Sequence, residues 1–119
     1  MAPDNLKFIF LGTPDVASLT LQILKDKGYL PHIIVTSPDS PKGRGLIMTE
    51  TPVSLWAKEN NIKCLKPEKI NEEFIQEISS LNLDLSIVVA YGKILPETFI
   101  NTPKLGTLNI HYSLLPKLR

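Results

Sequence analysis

A chain of 119 residues in which thirteen Lys+Arg face twelve Asp+Glu carries a formal charge of +1. No global field draws it to nucleic acid or membrane, so any polyanion contact must come from a local patch. The length suits one domain, which at this size removes roughly two-thirds of its unfolded surface from water. The one cysteine, Cys64, excludes an internal disulfide and a Cys-rich zinc site and suits a reducing cytosol, so a cytoplasmic location is expected. The apolar run after Met1–Lys7 is too short for a secretory signal, and no stretch approaches the ~18–20 apolar residues of a membrane span.

Phe8 to Leu11 is a compact apolar run ending at Gly12, the pattern of a strand buried on both faces. Past Gly12-Thr13-Pro14, Asp15 is placed to cap a helix whose apolar residues Val16, Leu19, Ile23 and Leu24 recur at helical spacing, and Asp26-Lys27-Gly28 stops it. Pro31 to Thr36 reads as a second strand. Ser37 to Thr51 holds two prolines, two glycines and no period, and is expected to be a long loop, either functional or disordered. Pro52 opens a helix through Leu55, Trp56 and Ala57 to Asn60-Asn61, and Ile62 to Leu65 forms a short third strand. Asn71 caps a helix from Glu72 to Leu81 with Phe74, Ile75, Ile78 and Leu81 on one stripe. Asp84 to Ala90 is the most apolar strand, broken by Tyr91-Gly92. A short helix near Pro96 to Ile100 follows, then Gly106 and a final strand, Thr107-Leu108-Asn109-Ile110-His111.

Five strands alternating with helices predict an α/β fold, a doubly wound, mostly parallel sheet in the order 3-2-1-4-5. Ligands of such sheets settle beyond the carboxyl ends of the strands, at the switch point between the first and fourth. That expectation gathers the Gly12–Asp15 turn, the Ala90–Gly92 turn, the Asn109/His111 end and the Ser113–Pro116 loop.

Alternation sends Asn109 and His111 to one face of their strand and Ile110 to the other. An amide with donors and an acceptor beside an imidazole can hold a carbonyl and handle its proton. Alone, N-x-H is common, and such a pair is more often a polar strand end satisfied by loop backbone. The first turn lacks the G-x-G-x-x-G pattern, and Pro14 removes an amide that a phosphate would use, which argues against NAD. Lys42 and Arg44 lie beside two glycines, with Leu46, Ile47 and Met48 beyond. They could grip phosphates while the apolar residues wedge against a base, or serve only solubility. His32 has no second ligand-type residue in pattern, so no metal is expected. Cys64 and Trp56 read as core packing.

Taken together, FIFLGTPDVA at 8–17, SPDSPKGRG at 37–45, TPV at 51–53, VVAYGKILP at 88–96 and LGTLNIHYSLLP at 105–116 resemble the methionyl-tRNA formyltransferase family over essentially the whole chain. The last motif is shared more widely by enzymes that use 10-formyltetrahydrofolate, whereas the GTPD turn and the SPDSPKGRG loop point to the tRNA-specific branch. The resemblance implies a Rossmann-like formyltransferase fold, and transfer of a formyl group from 10-formyltetrahydrofolate, without a metal, to the α-amine of methionine on initiator tRNA. It gives Asn109 a hydrogen bond to the formyl oxygen and His111 the tasks of polarising that group and moving a proton. Ser113, Leu114, Leu115 and Pro116 match the folate-contacting loop. The resemblance also implies that Ala90, Tyr91, Gly92 and Ile94 line the pterin pocket, and Lys42 and Arg44 match the loop that the family inserts against the tRNA acceptor stem.

Two departures stand out. Where the family usually has HGSLLP or a small-residue or proline variant, this chain has HYSLLP; Tyr112 could cost about 1–2 kcal/mol if its φ is positive, and could narrow the pocket, which the sequence leaves open. The family also needs an Asp some thirty-odd residues beyond the His and a C-terminal domain that helps hold the tRNA. The 119 residues are therefore expected to be an incomplete, N-terminal part of the transferase domain, inactive alone. The full-length family member is expected to be monomeric, and the sheet edge bared by stopping at Arg119 makes this chain a candidate for dimerisation. Rival readings are another 10-formyltetrahydrofolate-dependent transferase or hydrolase acting on a small molecule, and a non-catalytic remnant or folate-binding module.

Overall fold

The structure is a computed structural model that describes residues 6–112. Phe8–Gly12 forms β1, buried throughout, because its alternate side chains feed two cores: Phe8 and Phe10 on one face, Ile9 and Leu11 on the other. Helix α1 (Asp15–Asp26) follows directly. Gly12 admits it, since a Cβ there would stand 2.6 Å from Ala17 Cβ and 2.7 Å from the Val89 carbonyl oxygen.

Helix α1 departs from its sequence pattern in two respects. Its N-cap is Pro14 and Asp15 lies in the first turn without a capping bond, where its charge still suits the positive helix end. Its buried residues are Ala17, Thr20 and Leu21, while Leu19 and Ile23 are 62% and 54% exposed. The small Ala17 has to face Gly12 for the helix to approach the sheet, and that rotation carries Leu19 and Ile23 outward.

The strand β2 (Ile33–Val35) leads into β3 (Ser40–Lys42) and β4 (Ile47–Thr49). The expected loop is thus a two-stranded antiparallel hairpin, with Ser40 opposite Thr49 and Lys42 opposite Ile47. Gly43 and Gly45 supply positive φ at its turn, which glycine adopts without a Cβ clash. Strands of three residues, one containing Pro41, are too short to show a period.

Helix α2 (Pro52–Glu59) starts at Thr51, whose hydroxyl oxygen accepts from Ser54 N at 3.0 Å. It leads to β5 (Cys64–Leu65), and α3 (Glu72–Ser79) is capped as expected, with Asn71 Oδ1 accepting from Phe74 N at 2.9 Å. The chain then forms β6 (Leu85–Val89), α4 (Glu97–Ile100) and β7 (Thr107–Ile110).

The main sheet runs β5-β2-β1-β6-β7 with every pairing parallel, the doubly wound order that the sequence predicts. One face packs on α1 and α2 through Ala17, Leu21, Val53 and Trp56, and the other on α3 and α4 through Phe74, Ile78 and Phe99. Trp56 is core, its indole N–H donating to Gln22 Oε1 at 2.9 Å. Burial pushes the Cys64 thiol up to about 11, consistent with inert packing. Among the described residues, no helix is long and apolar enough to cross a membrane.

Candidate functional site

In the β6–β7 register Asn109 lies beside Val88 and Ile110 beside Val89. Paired residues of parallel strands share a face. Val88 belongs to the core under α3 and α4, whereas Val89 and Ile110 belong to the core under α1 and α2. Asn109 therefore looks to the α3/α4 side, and His111, two residues on, lines the same cleft.

That cleft, about 380 Å³, opens at the carboxyl ends of β6 and β7. Asn109 and His111 border it together with Ala90, Tyr91 and Gly92, and Val88, Leu95 and Ile100 give it apolar walls. It lies one strand away from the β1/β6 reversal where the sequence put it. The Gly12–Asp15 turn does not line it and instead braces it: Thr13 Oγ1 donates to the Tyr91 carbonyl at 3.0 Å and sits 3.1 Å from Ser37 Oγ. Thr13 has one hydroxyl proton, so Ser37 is the donor in the second bond. Three turns, after β1, β2 and β6, are tied at one residue.

Residues Ala90 and Gly92 flank Tyr91 with φ of +52° and +82°. A left-handed residue cannot continue a strand, so β6 ends here, and for Ala90 the conformation costs about 1–2 kcal/mol. The Tyr91 ring is buried, its hydroxyl finds no hydrogen-bond partner among the described residues, and burial pushes its pKa up to about 12. It is a protonated donor throughout the neutral range.

Ile94 is 88% exposed and stands outside the cleft; its neighbour Leu95 takes the inward place. Lys93, Leu95 and Ile100 are lining residues that sequence reasoning passed over, because a four-residue helix and an extended approach to it offer no period to read. Ser113, Leu114, Leu115 and Pro116 lie outside the described residues.

Neither of the two effects open at Tyr112 is found. Its φ is not positive: Leu46, Asn61, Asn82 and Ala90 are the non-glycine residues with positive φ among those described. Nor does its ring narrow the cleft. Alternation turns it to the face opposite His111, where its hydroxyl meets Thr20 Oγ1 of α1 at 2.9 Å.

Lys42 and Arg44 are exposed on the hairpin, next to Leu46, Ile47 and Met48, which are 68%, 70% and 63% exposed. The hairpin base is clamped by charge. Lys66 Nζ lies 2.8 Å from Asp39, just before β3, and 3.6 Å from Glu50, just after β4. Glu50 also pairs with Lys58 at 2.5 Å and accepts from the Ser54 hydroxyl at 2.6 Å. The Lys58 hydrogen bond, then that of Ser54, holds the Glu50 carboxyl down to about 2. The bond to Asp39 raises the Lys66 pKa. Asp39 and Glu50 stand near the two ends of the aperiodic segment but Lys58 and Lys66 both lie beyond it in the chain, so no local pattern signals the clamp.

A larger hollow of about 510 Å³ runs beside α3, bordered by Glu68, Lys69, Glu73 and Glu77. It includes no residue from the strand ends. The smaller cleft is the one at the carboxyl edge, where open parallel sheets bind ligands.

Residues 6–119 match the family described as formyl transferase. The chain is 49% identical over 115 residues to the methionyl-tRNA formyltransferase of Clostridioides difficile (strain 630), covering 96% of this chain and 37% of that protein. It is 47% identical over 116 residues to the enzyme of the same name from Sulfurihydrogenibium sp. (strain YO3AOP1), with coverage of 96% and 37%. For that of Caldanaerobacter subterraneus subsp. tengcongensis the values are 42% over 116 residues, 96% and 38%. The chain thus spans little more than a third of the length of these relatives.

Proposed function

This chain belongs to the formyl transferase family, and from that premise we propose that it forms the donor-binding and reacting part of a methionyl-tRNA formyltransferase. The observation that carries the reading is the meeting of Asn109 and His111 with the Ala90–Gly92 turn in one cleft. The fit to 10-formyltetrahydrofolate is reasonable. About 380 Å³ falls within the ~300–1,000 Å³ of small-molecule sites, and apolar walls with a few polar groups suit a flat heterocycle.

When bound, the donor supplies an activated formyl carbon. The Asn109 amide donates a hydrogen bond to the formyl oxygen, where negative charge grows as the methionyl amine attacks; a fixed donor so aimed contributes ~3–4 kcal/mol. His111 would polarise the same group, take the proton that the amine loses and pass it to the donor nitrogen, whose bond to the formyl carbon breaks as the bond to the amine forms. Lys42 and Arg44, carried clear of the domain on the hairpin, meet phosphates of the tRNA acceptor stem. The exposed Leu46, Ile47 and Met48 give the same hairpin an apolar edge for a base or sugar.

The test is a hybrid in which these residues replace the matching segment of the Clostridioides difficile relative, supplied with donor labelled in its formyl group. Label recovered on methionyl-tRNA is the expected result. Label released only as formate, or passed to glycinamide ribonucleotide and not to tRNA, overturns the tRNA assignment in favour of a hydrolase or a small-molecule transferase.

A further inference from the structure

We infer that Tyr112 is a positioning residue: its hydroxyl bond to Thr20 anchors the end of β7 to helix α1 and so holds His111 over the cleft. The catalytic meaning of this strut rests on the function proposed above; its structural meaning does not.

Strand β7 ends at Ile110, so His111 and Tyr112 lie past the last ladder pair with β6, Val89 with Ile110. A residue just beyond a strand end has no ladder to fix its direction, yet His111 must keep its imidazole toward the cleft for proton transfer within hydrogen-bond reach. Tyr112 supplies the missing constraint. The alternation that turns His111 to the cleft turns Tyr112 to α1, where Tyr112 Oη lies 2.9 Å from Thr20 Oγ1. Thr20 donates its single proton to the Val16 carbonyl at 2.8 Å, so its oxygen is free to accept and Tyr112 is the donor. Thr20 is itself nearly buried on the face of α1 that packs against the sheet, at 6% exposure, which makes it a rigid anchor. Tyr112 is half exposed, at 51%, so the ring fills no core cavity and its hydroxyl is the part with a specific partner. Glycine or alanine at this place could make no such bond.

The test uses Y112F, which keeps the ring, and T20V with T20S, which remove and restore the accepting oxygen. In the 15N-labelled chain, with its resonance assigned against H111Q, the His111 amide order parameter is expected near ~0.85 and to fall toward ~0.6 in Y112F and T20V. Residues of β6 should not change, T20S should behave as the parent, and the double variant Y112F/T20V should be no worse than either single. In the hybrid enzyme, Y112F is expected to lower kcat about fivefold and leave KM for methionyl-tRNA unchanged, an effect on the scale of one hydrogen bond. An unchanged His111 order parameter in Y112F and T20V, or additive effects in the double variant, overturns the strut. If the order parameter responds but the parent hybrid transfers no formyl group to any acceptor, the strut stands and the proposed function fails.

Discussion

The cleft and the hairpin occupy the same carboxyl edge of the sheet but are held there by different physics. The cleft grows out of the sheet itself: Val88 and Asn109 are ladder neighbours, its walls are continuous with the α3/α4 core, and Thr13 braces its turn. The hairpin is exposed from Pro41 to Thr49 and is fastened at its base by the Asp39–Lys66–Glu50–Lys58 chain of charges. A region built on apolar packing keeps atoms in fixed places, which chemistry needs. One tethered by ions at its root can adapt to a large partner, and its tether answers to salt and pH.

The sharpest way to break this contrast is to alter the cleft alone. In the hybrid, N109A and H111A are each expected to slow single-turnover formyl transfer by about 10²- to 10³-fold, with tRNA affinity unchanged. A loss of tRNA binding instead would show that the two regions are not separable. Removing both hairpin cations (K42A/R44A) should do the reverse: weaker tRNA binding, a salt dependence shallower by about two units of log–log slope, and donor affinity as in the parent.

A smaller effect is expected from the clamp. K66M releases Asp39 and Glu50 together and should raise KM for methionyl-tRNA a few-fold, while a folate titration stays unchanged. The pH response of the same root follows from Glu50, whose folded pKa of about 2 lies below the ordinary 4.5. A carboxylate lowered on folding adds stability that is complete above its unfolded pKa and disappears as pH falls through the folded one. Between pH 4.5 and 2 the melting temperature of the parent should therefore fall more steeply than that of E50Q. Parallel curves would show that the clamp contributes nothing.

Much of the fold was legible because its signals are local. Asn71 as a cap, Pro52 in a first turn and the apolar run of β1 each act through the residues beside them, and alternating strands and helices leave few topologies open. Other features were hidden where two elements compete. The face of α1 is chosen by the Gly12–Ala17 approach and not by where its largest apolar residues recur. The hairpin strands are too short for periodicity, and the Lys66 clamp joins residues that only folding brings together. At the site, alternation paired Asn109 with His111. The same rule, carried one residue further, places Tyr112 on the other face. Leu95 in place of Ile94 depends on the path of an extended segment that leaves no pattern behind.

The central claim, that Asn109 and His111 share a folate cleft with the Ala90–Gly92 turn, is tested most directly by titrating the 15N-labelled chain with 5-formyltetrahydrofolate, a stable isomer of the proposed donor. The account predicts saturable shifts in the amides of Ala90, Gly92, Ile100, Asn109 and His111, and none along the outer face of α3 at Glu73 and Glu77. Shifts confined to α3, or saturation that leaves Asn109 and His111 unmoved, would contradict it.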